Sequence, residues 1–129
     1  MNYLAHYGIN PTVEMFLDLG QENIEHHLLT ITGEFHDKLT SNGVKVLTPR
    51  EDTRRAAIVT FDARSAGWES AEALMAALNE KLIRVSVRME LLRISPHFYN
   101  TSDELDKVLE ITLSGNRTRS VSDGTNFCE

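Results

Sequence analysis

Arg84, Ser86 and Arg88 alternate with Ile83, Val85 and Val87, and a few residues on, Arg93 and Ser95 alternate with Leu92 and Ile94. Two half-buried strands joined by a tight turn at Met89-Glu90 would set Val87 opposite Leu92, and Ser86 opposite Arg93. Arg84, Ser86, Arg88, Arg93 and Ser95 then share one sheet face, with the apolar residues on the other. A planar guanidinium offers two parallel N–H donors that match a carboxylate, so three arginines on one face make a plausible anion surface. The same pattern also fits the plain solvated side of an amphipathic hairpin, its arginines paired with nearby acids. Met89-Glu90 is a poor two-residue turn for this, because such turns require positive φ.

Other reactive side chains carry less. His26 and His27 follow Glu22, with His36 further on, but adjacent helical residues diverge by about 100° and no His-Glu-x-x-His spacing occurs. No metal site is expected. Cys128 is the single cysteine and stands next to last in a polar stretch, which excludes an internal disulfide and speaks against a thiolate metal site. His97 lies between Pro96 and Asn100 and is expected to hydrogen-bond within a turn, with Ser95 and Tyr99, and not to act as a base. Trp68 is expected as a packing anchor.

The chain of 129 residues fits one domain, with 41% hydrophobic and 25% charged residues, as in an ordinary globular protein. Its net charge of −6 argues against nucleic-acid binding, which needs a surplus of Lys and Arg. No apolar run approaches the roughly 20 residues of a membrane span, and the first residues do not resemble a secretory signal. A cytoplasmic protein is expected.

These residues need elements to position them. Asn10-Pro11 predicts the start of a short helix carrying Val13, Phe16 and Leu17, stopped by Gly20. Ile24, Leu28, Ile31, Phe35 and Leu39 form one apolar stripe, a second helix ended by Asn42-Gly43. Val44–Thr48 and Ala56–Phe61 predict strands, with a charged turn between. A helix with Ala71, Leu74, Met75, Leu78 and Leu82 follows, then the strands Ile83–Arg88 and Leu91–Ser95. Thr101-Ser102-Asp103-Glu104 is a capping box opening a last helix through Leu105, Val108, Leu109 and Leu113. The expected fold class is α+β: a four-stranded, mainly antiparallel sheet with helices packed on one face, preceded by two helices. The folded part is expected over residues 1–114, with 115–129 a polar tail too poor in apolar surface to order itself.

Gly20-Gln21-Glu22-Asn23-Ile24-Glu25-His26-His27, then Leu39, Gly43-Val44 and Thr48-Pro49, then Arg55–Phe61 resemble the C-terminal part of class V aminotransferases. That family includes cysteine desulfurases, kynureninases and isopenicillin-N-epimerase-like enzymes. Leu92-Arg93-Ile94-Ser95-Pro96-His97-Phe98-Tyr99-Asn100-Thr101, with Glu104-Leu105-Asp106, is similar to the closing motif of the family. The resemblance covers roughly residues 14 to 113. It implies a small domain that closes over an active site, with Arg93 binding the substrate carboxylate. It also implies pyridoxal phosphate, held by a lysine of a large domain. Lys38, Lys45, Lys81 and Lys107 are none of them in a segment like that of the cofactor lysine, so no cofactor is expected on this chain alone. Glu90 departs from the glycine that related sequences carry before the arginine strand.

The resemblance implies that a face is normally covered. The expected partners are a second copy of the chain or a separate large pyridoxal-phosphate domain, with a small carboxylate as ligand. Tyr3, Leu4, Tyr7, Met15, Phe16, Leu17 and Leu19 are candidates for a self-association surface.

Overall fold

The structure, a computed structural model, describes the backbone of residues 3–122 and the side chains of residues 9–115. Four helices and three strands follow one another as α1 (Tyr3–Leu19), α2 (Gln21–Ser41), β1 (Val59–Phe61), α3 (Ala71–Glu80), β2 (Ser86–Arg88), β3 (Leu91–Ile94) and α4 (Ser102–Ser122). Short 3₁₀ turns at Asp52–Arg54 and Ala63–Ala66 sit in the connections.

The sheet is antiparallel with the order β1-β3-β2, so the chain is α+β as the patterning predicts. It has three strands, not four. The segment Val44–Thr48 runs beside β1, but only Val46 forms a bridge, to Phe61. Leu47 N–H donates to the Thr60 carbonyl at 2.8 Å, yet the return bond is diverted: Thr60 N–H donates to the Thr48 hydroxyl at 2.9 Å. The Thr48 carbonyl in turn accepts from His36 Nε2 at 3.0 Å. A side chain that captures a ladder donor stops the ladder there.

Sheet alternation puts Val59, Phe61, Leu92 and Ile94 on one face, all buried. Against them pack Ile31, Phe35 and Leu39 of α2, Leu74 and Leu78 of α3, and Leu105 and Val108 of α4. Phe35 and Phe61 meet edge to face with ring centroids 6.3 Å apart, each burial contributing roughly 1.5–3 kcal/mol. Among the described residues no buried side-chain nitrogen or oxygen lacks a hydrogen-bond partner.

The helix ends follow the sequence in part. Gly20 and Gly43, each at φ +78°, close α1 and α2 in the left-handed region that other residues enter at a cost. The predicted start at Asn10 is wrong: α1 begins at Tyr3 and runs through Pro11. Residues 9–19 around Pro11 are exposed, which lowers the usual cost of a mid-helix proline.

α4 runs past residue 114, where the polar tail is expected to begin, and continues to Ser122. Gly115 is buried, and a Cβ there would stand 2.6 Å from the Trp68 ring and 2.9 Å from the Ala66 carbonyl oxygen. Clearance, not termination, is what this glycine supplies. Trp68 anchors there as expected, its Nε1–H donating to the Thr112 carbonyl at 2.8 Å. Residues 123–129, with Cys128, lie outside the described residues, as do the side chains of Tyr3, Leu4 and Tyr7. Among the described residues no helix is long and apolar enough to cross a membrane.

Candidate functional site

β3 is the middle strand, and Arg93 stands opposite Thr60 on β1 and Ser86 on β2. The register Ser86↔Arg93 and Val87↔Leu92 is the one that the alternation predicts. Because Leu92 and Ile94 point into the core, Arg93 emerges on the face away from the helices. It is half-buried and makes no hydrogen bond or ion pair with another described residue. A guanidinium held between two hydroxyl-bearing strand residues can take a carboxylate bidentately, with hydroxyls at hand for its remaining lone pairs.

The five-residue face is smaller than expected. Ser86, Arg88 and Arg93 share it within the strands, whereas Arg84 and Ser95 fall beyond the strand ends. Arg84 donates to Asn79 Oδ1 at 3.3 Å instead. The connecting turn exists as drawn, with Met89 at φ +48° and Glu90 at φ +62°. Two non-glycine residues thus adopt the positive φ that a two-residue hairpin needs, at a steric cost of about 1–2 kcal/mol each. Glu90 lies 3.5 Å from Arg64 across the tip.

The other singled-out residues turn out to hold the frame. His27 Nε2–H donates to the Asn100 carbonyl at 2.9 Å, tying α2 to the turn before α4. His97 contributes its backbone to that turn, through Asn100 Oδ1 at 2.7 Å and Asn100 N–H at 2.9 Å. Among the described residues its ring makes no hydrogen bond, contrary to expectation, and it packs among Phe16, Phe98 and Tyr99. Glu104 accepts from Thr101 N–H at 3.0 Å and from Asn100 Nδ2 at 3.1 Å, the predicted capping box with an added amide. Those bonds, the Asn100 amide first, hold its carboxyl below the usual carboxylate range. Among the described residues no three metal-ligating side chains converge.

Sequence reasoning missed the most heavily used arginine. Arg55 has a side chain only 1% exposed; it donates to Thr32 Oγ1 at 2.6 Å, the Leu29 carbonyl at 2.7 Å and Asp52 Oδ1. Beside it, Arg50 binds Asp37 through two parallel bonds of 2.6 and 2.8 Å. That pairing lowers the Asp37 pKa and raises that of Arg50. A cation opening the apolar run Ala56–Phe61 is the one signal that could have marked Arg55.

Pyridoxal phosphate does not fit the residues described. An imine-forming lysine must be desolvated to be nucleophilic, yet Lys45, Lys81 and Lys107 are exposed and Lys38 is ion-paired with Asp106.

The sequence matches no family model and no curated protein. Its structure does have counterparts. An apo cysteine desulfurase from Thermococcus onnurineus NA1 is similar with a TM-score of 0.71 at 18% identity, over 79% of this chain and 28% of that one. The chain shares its fold with a part of that enzyme. A NifS-like protein is similar at TM-score 0.61 and 18% identity, covering 73% of this chain and 28% of the other. A serine palmitoyltransferase from Sphingomonas wittichii follows at 0.54 and 23%, covering 74% and 25%. The chain thus spans little more than a quarter of the length of these structures, as one domain of a longer enzyme would.

Proposed function

We propose that this chain acts as the small domain of a class V aminotransferase-like enzyme, with pyridoxal phosphate and its lysine supplied by a separate large domain. Arg93 clamps the carboxylate of an amino-acid substrate, and the domain closes over the site and excludes water. It adds orientation and binding energy, and it is not catalytic alone. The observation that carries this reading is a guanidinium on the central strand, turned away from the core and without a partner among the described residues. Chemistry favours the role: a half-buried arginine left without a counter-ion is a poor use of stability unless an anion arrives to complete it.

The test is a titration of the full chain with small amino acids, followed by amide chemical shifts. Arg93→Ala should abolish the response and Arg84→Ala should leave it intact. Equal losses in the two variants would mean diffuse charge and would sink the clamp. Added pyridoxal phosphate should give no saturable change in visible absorption.

A second reading is favoured by α1. Ile9, Val13, Met15, Phe16, Leu17 and Leu19 are all exposed, and only Phe16 has ring partners, His97 and Phe98. Apolar residues on all sides of an exposed helix are an association surface, so the chain would be a non-enzymatic module that forms homodimers or binds another protein. Sedimentation separates the two readings. A dimer that Leu17→Gln dissociates, with no amino-acid response, supports the second.

A further inference from the structure

A groove of 810 Å³ runs between α4 and the connection from α3 into β2, and Arg93 does not line it. Its floor is apolar: Ile94, Leu105 and Val108 are buried, and Ile83, Val85 and Ile111 are half-buried. Its banks are not. Lys81 and Arg84 line one side and Lys107 the other. The side chains of Lys81 and Lys107 make no hydrogen bond or ion pair within the described residues, and Arg84 uses one N–H on Asn79. Two acids stand on the rim: Glu104, held by the capping box and within electrostatic reach of Lys107, and Glu110. A protein of net charge −6 therefore gathers three cations against two acids above an apolar trough.

We propose that this groove binds a free medium-chain fatty carboxylate. The α4 residues that line it run from Glu104 to Ser114, about 15 Å at the 1.5 Å rise of a helix, which suits an extended chain of roughly ten carbons. The apolar floor removes methylenes from water, each strengthening binding by about two- to fourfold depending on how far the open groove covers it. The cations supply the head-group preference. A neutral ligand of the same length gains the floor alone, and a short carboxylate the charge alone. Ser86, Arg88 and Arg93 do not line the site, which does not depend on the function proposed above.

The experiment is calorimetric titration of the full chain with decanoate, decanol and acetate, with amide shifts to locate the site. Decanoate should bind, with shifts at Val85, Ile94, Val108 and Ile111. Decanol should bind at least tenfold more weakly, and acetate not at all. The triple variant Lys81→Gln, Arg84→Gln, Lys107→Gln should reduce decanoate affinity about tenfold and bring it level with decanol. These are exposed residues, so folding is preserved, which an unchanged circular dichroism spectrum verifies. Leu17→Gln and Arg93→Ala should bind decanoate as the parent does. Equal affinity for decanoate and decanol, shifts confined to α1, or no binding at all would overturn the proposal.

Discussion

Arg55 and Arg93 are both arginines on the path of the same sheet, and they are used in opposite ways. The Arg55 side chain is 1% exposed and makes four hydrogen bonds, to Thr32, Leu29 and twice to Asp52, fastening the turn before β1 onto α2. The Arg93 side chain, at the centre of the sheet, is half-buried and bonds to nothing among the described residues. Within one small domain, then, the guanidinium that looks unremarkable in sequence is structural. The one embedded in a recognisable strand is held in place and left unspent. A buried charge completed by its own chain maintains the fold, while one left incomplete is available to a ligand.

The comparison breaks if the two residues prove equally costly to remove. Arg55→Met should destabilise the protein by about 3 kcal/mol in urea unfolding, because four hydrogen bonds from one buried guanidinium are lost together. Arg93→Met should change stability by less than about 0.5 kcal/mol, since no internal bond is lost. A large loss for Arg93 would mean that it too is structural. Next in size is Gly115→Ala, expected to cost about 2 kcal/mol because the added methyl group meets the Trp68 ring and the Ala66 carbonyl. No loss there would place Trp68 elsewhere than against α4.

What the sequence makes legible follows from periodicity. The stripe Ile24–Leu39, the capping box at Thr101–Glu104 and the register Ser86↔Arg93 all come from side-chain spacing, which is local and strongly constrained. What it hides are decisions between competing partners. Val44–Thr48 has strand composition, but whether Thr60 N–H goes to a carbonyl or to the Thr48 hydroxyl depends on a contact that composition does not encode. Gly115 looks like a helix end, and only the approach of Trp68, distant in sequence, reveals it as a spacer. Pro11 misleads similarly, since its cost depends on whether the helix around it is wet. The candidate site is half legible: its arginine and its register can be read, but the loss of Arg84 to Asn79 cannot.

Smaller effects sharpen the contrast between fastened and open regions. At the hairpin tip, Glu90→Gly should stabilise the protein by about 1 kcal/mol in urea unfolding, because glycine takes φ +62° without steric cost. The Arg64 contact at 3.5 Å, which it would remove, is exposed on both sides and offsets little of that gain. If Glu90→Gly destabilises, the turn is not strained and the ion pair matters more than its exposure suggests.

Smallest is the pH response of the fastened turn. Asp37 has its pKa lowered, first by the bidentate bond from Arg50. A carboxylate with a depressed folded pKa contributes stability that is fully present above its unfolded value, about 3.9, and lost as pH falls through the folded one. The Asp37 side chain is 57% exposed, so solvent screening reduces the contribution to about 0.5 kcal/mol. The stability difference between the parent and Asp37→Asn, measured by urea unfolding, should therefore shrink as pH drops from about 5 to about 2.5, and should shrink again in about 1 M salt. A difference that persists at low pH would show that Asp37 works through neutral hydrogen bonding. The same pair of measurements on Arg93→Met should be flat with pH, as expected for a cation with no internal carboxylate to lose.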